Sequence, residues 1–173
     1  MSCLINSGYN LDCNESLGGV KKVYIATFDG NVAGSADYTY DANRAITAVT
    51  NSPTYYLYEQ TLESASFTQA GVFSIENGSA YCVQQVSMVF PRNTDESRNL
   101  LIQLAHTRIS VIVEDQRGEL WLVGRVNGLR ATAGSQNTGK SLGDLNGVTI
   151  TLQGKESTPA HRIHADAAFD GID

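Results

Sequence analysis

Residues 54–69, TYYLYEQTLESASFTQ, and residues 79–91, SAYCVQQVSMVFP, decide the fold. Both are rich in the aromatic and β-branched residues that suit a pleated sheet, and neither contains a glycine. Between them AGVFSIENG carries Gly71 and the turn pair Asn77-Gly78, so the two runs predict a large antiparallel hairpin. The first run spans 16 residues, well beyond the five or six of an ordinary strand. It is either one strand that extends past a single packed core, or two strands with a bend at Glu63–Ser66.

The flanking segments repeat the β pattern. VKKVYIATFDG places Val20, Val23, Ile25 and Phe28 in a short run closed by Asp29-Gly30, and weaker strands follow around Tyr38, Tyr40, Ile46 and Val49. After Pro91 the period changes. In RNTDESRNLLIQLAHTR, Asn93 precedes Glu96 by three residues as in a capping arrangement, and Leu100, Leu101, Leu104 and Ala105 recur at helical spacing. One helix over 93–106 is expected, with those residues facing a sheet. RISVIVEDQRGELWLVGRVNG (108–128) predicts a second hairpin turning at Asp115–Gly118. GVTITLQGKE then closes the pattern, with Val148, Ile150 and Leu152 on one face. The expected fold is mainly β: an antiparallel β-sandwich or barrel with a long hairpin and one flanking α-helix. Residues 1–19 read as a polar arm, 20–163 as a single domain, and 164–173 as an exposed acidic tail with Asp166, Asp170 and Asp173.

Composition narrows the functional classes. The chain has 173 residues and a formal net charge of −6, which argues against a protein that grips a nucleic-acid backbone. Cys3, Cys13 and Cys82 form no zinc-like pair and suggest free thiols in a reducing compartment. MSCLINSGYNLDC lacks the basic start and apolar core of a secretory signal, and no run approaches the roughly 20 apolar residues of a membrane helix. A protein made in a cytoplasm, without a membrane partner, is expected.

Residues 134–141, GSQNTGKS, satisfy the phosphate-loop pattern through Gly134, Gly139, Lys140 and Ser141. A working phosphate loop follows a buried parallel strand and opens a helix, so that loop and helix N–H groups converge on the phosphates. Here LGDLNGVTITLQG comes next, with a turn at Asn146-Gly147 and β alternation from Val148. The string therefore reads as a flexible hairpin loop. His161-x-x-His164 comes after Pro159 in a polar context and reads as exposed histidines. No catalytic or metal-binding constellation emerges, and neither an enzymatic activity nor a cofactor is expected.

The order long hairpin, helix, hairpin, glycine-containing loop and closing strand resembles the tail tube proteins of bacteriophages and the related tubes of contractile systems. The stretch NGLRATAGSQNTGKSLGDLNGVTITLQGKESTPAHRI resembles the carboxyl-terminal part of tail-tube-like proteins. The resemblance implies a virion protein whose copies form rings, usually hexamers, stacked as a hollow tube through which DNA passes unbound. It implies that residues 54–91 line the lumen. Glu59 and Glu63, at odd positions of one strand face, are then expected to face the lumen and repel phosphate. The loop residues Gly134, Gly139, Lys140 and Ser141 are expected to meet the next subunit. A capsid decoration, connector ring or baseplate subunit is the alternative, followed by a small-ligand or carbohydrate-binding sandwich that stacks its ligand on Tyr55, Tyr56 and Tyr58.

Overall fold

The computed structural model describes residues 17–28, 38–50 and 52–168. The N-terminal arm up to residue 16, the Asp29-Gly30 turn, Cys3, Cys13, Asp170 and Asp173 lie outside the described residues. Within the described residues the chain forms strands β1 (Val20–Thr27), β2 (Tyr38–Tyr40), β3 (Ile46–Val49), β4 (Tyr56–Glu59), β5 (Ala65–Ser74) and β6 (Ser79–Pro91). Helix α1 (Asp95–His106) comes next, then β7 (Ile109–Asp115), β8 (Leu120–Val123), β9 (Arg130–Asn137), β10 (Gly147–Glu156) and β11 (His161–Ala168).

The strands make a seven-stranded sheet in the order β2-β3-β11-β8-β7-β1-β4 and a four-stranded sheet in the order β5-β6-β10-β9. Neither order closes on itself, so of the two expected architectures the fold is a sandwich with one helix. Between the sheets, Val23, Ile25, Val111 and Val113 meet Val86, Met88, Ile150 and Leu152 in one buried core. Strand alternation then sends Tyr24, Ile112 and Leu122 to the opposite face of the large sheet. There Tyr38, Ile46 and Val49, from the far end of that sheet, cover them in a second cluster. This is why ISVIV in β7 is buried at every position: both of its faces are used.

Tyr55 lies in that second cluster at 1% exposure, and its hydroxyl shares a 3.0 Å hydrogen bond with Ser110 Oγ. Burial pushes the Tyr55 pKa up to about 12, against the smaller opposing effect of the Ser110 bond. The group is neutral when folded, so its contribution is complete below the ordinary value of 10.0 and is lost as pH rises towards about 12. Tyr55→Phe is expected to cost about 1 kcal/mol, by the usual net value of one buried hydrogen bond, in denaturant titration at neutral pH.

The long hairpin exists, displaced from where the sequence places it. Of the two expectations for residues 54–69, two strands with a break between them holds, the break falling at residues 60–64. β4 ends at Glu59, a turn intervenes in which Ser64 N donates to Thr61 O, and β5 starts at Ala65 in the other sheet. β5 instead continues through the expected linker and pairs with β6 from Ala65↔Met88 to Ser74↔Ser79, turning at Ile75–Gly78. The break carries the chain from one layer to the other, a demand of the sandwich that local β-propensity does not register.

The helix cap lies one residue later than expected. Thr94 is the N-cap: its side chain accepts from Ser97 N, and Thr94 N donates to Ser97 Oγ. Asn93 is drawn elsewhere, its amide donating to Asn137 O at 2.8 Å, which ties the helix start to the end of β9. Leu104 is buried and Leu100 and Leu101 pack on the core, but Ala105, at the margin of that face, is exposed. β11 also runs past Ile163, the expected end of the domain, to Ala168, pairing in parallel with β3.

Candidate functional site

The phosphate-loop string is divided between two kinds of structure. Gly134 is not in a loop: it sits in β9 opposite Ile150. A Cβ there would lie 3.2 Å from Leu101 Cδ1, so the glycine admits the close approach of α1. The connecting loop begins only at Thr138. Within it Gly139 has φ +71, and the N–H groups of Lys140 and Ser141 both donate to Asp144 Oδ2, each at 2.8 Å. These two bonds hold the Asp144 carboxyl below its ordinary range. As Asp144 is protonated at low pH the clasp loosens, because the stabilising form is the anion. The loop supplies its own anion and leads directly into strand β10 at Gly147 instead of opening a helix. Lys140→Ala is expected to leave folding and assembly unchanged. Calorimetry with ATP should give no heat of binding for either protein; micromolar affinity lost in the variant would contradict this reading.

Glu59 and Glu63 do not share a strand face. Glu59 ends β4, at the edge of the large sheet, whereas Glu63 lies in the turn before β5 with φ +63. The premise that put both on one lumen-facing strand is therefore corrected. The tyrosines also separate: Tyr55 is buried, Tyr56 is exposed, and Tyr58 packs edge-on against Phe90 with ring centroids 6.2 Å apart. They form no common stacking surface.

His161 and His164, three apart on β11, fall on opposite faces of that strand. His161 is half-buried against Tyr40, with its Nδ1 3.0 Å from Arg44 O. Among the described residues no group of three His, Cys, Asp or Glu side chains is placed to hold a metal. No described helix is long and apolar enough to cross a membrane.

The four-stranded sheet is the feature that sequence reading missed. Both its edges, β5 with ten residues and β9 with eight, lack a strand partner on their outer side among the described residues. Successive pairs are antiparallel, so β5 and β9 also run in opposite directions. Cross-strand register aligns Ser66, Ser87, Thr151 and Ala133 in one row on the face turned away from the core, and Thr68, Gln85, Gln153 and Arg130 in the next. Val89, Thr149 and Ser135 form a third row. These rows carry hydroxyl, amide and small apolar groups with one cation and no carboxylate.

At one end of this sheet, two polar side chains fix the β8–β9 connection. Gln84 Oε1 accepts from Gly124 N at 2.9 Å. The Glu156 carboxylate, 2% exposed, accepts from Val126 N and Asn127 N at 2.8–3.2 Å. A buried carboxylate bound by backbone N–H groups is a structural clamp rather than a reactive group. Compared with known proteins, the chain matches no family model and no curated sequence.

Proposed function

We propose that the chain is a structural subunit whose copies join β5 to β9 into rings, and that the rings stack as a tube of the bacteriophage tail type. One observation carries the reading: among the described residues the small sheet has two long edges of opposite direction and no partner for either. A neighbouring copy that laid its β9 beside β5 would continue the same antiparallel alternation. Rows of unpaired N–H and C=O groups are a template for another chain, and native proteins usually blunt them with charge, proline or cover. β5, ASFTQAGVFS, has no charged residue and no proline, and β9 has only Arg130. An edge-to-edge contact of this kind is head-to-tail, and it closes into a ring when the rotation per copy divides a full turn.

In such a ring the exposed face of the small sheet becomes a wall of the channel, the core face being covered by the large sheet. That wall replaces Glu59 and Glu63 as the surface a passing polymer meets. Its hydroxyls and amides suit passage of DNA without specific binding, because few cations are offered to the phosphates. A decoration or connector ring would use the same edges without stacking.

Light scattering of the purified protein tests the first step. The expected mass is a fixed multiple of the 18.6 kDa chain. A monomer at high concentration would contradict the reading.

A further inference from the structure

The β5–β6 hairpin carries an apolar knob at one end and an apolar groove at the other. β10 stops pairing with β6 at Glu156↔Cys82, while β5 and β6 continue to Ser74↔Ser79. The hairpin therefore overhangs its own sheet. On the overhang Phe73 is 77% exposed and Ile75 98% exposed. Isolated exposed apolar residues are ordinary, but two large ones at a projecting tip are costly unless something covers them.

At the opposite end of β6 an open groove of about 570 Å³ lies between β4, the last residues of β6 and α1. Tyr58, Phe90 and Leu100 supply its apolar lining. Leu62 and Leu142, both exposed, lie in the turns at that same end. The 13 residues of β6 separate tip and groove by about 40 Å at 3.3 Å per residue, so a chain cannot fill its own groove.

We propose that copies bind end to end, the Phe73–Ile75 tip of one seated in the Tyr58–Phe90–Leu100 groove of the next. This rests on the self-assembly reading and extends it along the tube axis. One complementary charge pair across the contact favours a second copy as the occupant. Glu76 comes directly after Ile75 at the tip, and Arg92 is the cation lining the groove; neither takes part in the ion pairs formed within the described chain. Glu59 and Glu96 also line the groove, so Glu76 must approach on the Arg92 side, which fixes the direction of entry. Arg92 is held with φ 83 by the bond from its N–H to Asn146 O, a left-handed backbone unusual for a long side chain. The contact leaves a free tip at one end of a stack and a free groove at the other, so it propagates instead of closing.

The test is sedimentation and negative-stain microscopy of the full chain and its variants. Phe73→Asp with Ile75→Asp should leave rings but abolish stacking. Glu76→Arg alone and Arg92→Glu alone should each raise the concentration needed for stacking at least tenfold, and the double variant should restore it. Normal stacking by the Phe73→Asp, Ile75→Asp protein would overturn the proposal, as would a double charge swap that fails to restore it. Wild-type rings that never stack would overturn this inference together with the tube part of the proposed function, and leave the β5–β9 ring standing. Wild-type protein that forms no assembly would remove the ring reading with it.

Discussion

A chain with Ser66→Lys and Thr68→Lys on β5 together with Ala133→Lys and Ser135→Lys on β9 should fold normally and fail to form rings. All four positions share the outward face of the small sheet, and Ser66 and Ala133 stand at the two ends of one cross-strand row. When β5 of one copy meets β9 of the next with Ser66 facing Ser135 and Thr68 facing Ala133, the lysines oppose in two pairs across the seam. Like charges directly opposite destabilise a strand pair by roughly 0.2–1 kcal/mol each. Two such oppositions at every seam amount to about 0.4–2 kcal/mol, roughly a two- to thirtyfold loss of affinity per contact. A ring needs all its seams, so the loss compounds. The decisive control keeps Lys at 66 and 68 and places Glu at 133 and 135. That protein should assemble at least as well as the wild type, because each seam now pairs opposite charges. Equal failure of both variants by size-exclusion chromatography would mean that the seam lies elsewhere.

The second large effect concerns Glu156. Glu156→Ala should destabilise the monomeric fold by about 3 kcal/mol, since a buried N–H that loses its acceptor costs about 1–3 kcal/mol and two are affected. For a domain of this size each kcal/mol lowers the melting temperature by about 2–4 °C, so a fall of about 6–12 °C is expected by calorimetry. Glu156→Gln keeps one acceptor oxygen of similar shape and should recover more than half of that loss. An unchanged melting temperature in the alanine variant would show that solvent, rather than the carboxylate, satisfies Val126 and Asn127.

Parts of the fold differ in how readable they are from the chain. The apolar alternation at Val148, Ile150 and Leu152, and the turn at Asn77-Gly78, can be read because pleat and turn chemistry are local properties. The break between β4 and β5 is legible only as one of two readings of a 16-residue run, and its place and its change of sheet are not. It contains neither glycine nor proline, and Glu63 takes a left-handed backbone because the chain must change sheets there. The end of β5 is obscured for the opposite reason: Gly71 looks like a linker residue, yet it lies in the strand with the Phe73 ring folded over it. Likewise, Gly134 looks like part of a loop and serves instead as a gap for Leu101. Edge position is the hardest property to foresee. Nothing in ASFTQAGVFS or RATAGSQN says which strand lies beside it; strand order depends on long-range pairing.

That order also changes the electrostatic picture. A net charge of −6 suggests an acidic channel, but the outward rows of the small sheet contain no carboxylate. The acidic residues Glu59, Glu63, Glu96 and Asp144 stand at the edge of the large sheet, in turns and on the helix. Charge summed over a chain says little about one face of one sheet.

Negative-stain electron microscopy of the purified protein tests the central claim most directly. Rings of uniform diameter with a central hole, stacking into tubes as concentration rises, are the expected result. Uniform single particles without a hole at every concentration would contradict it.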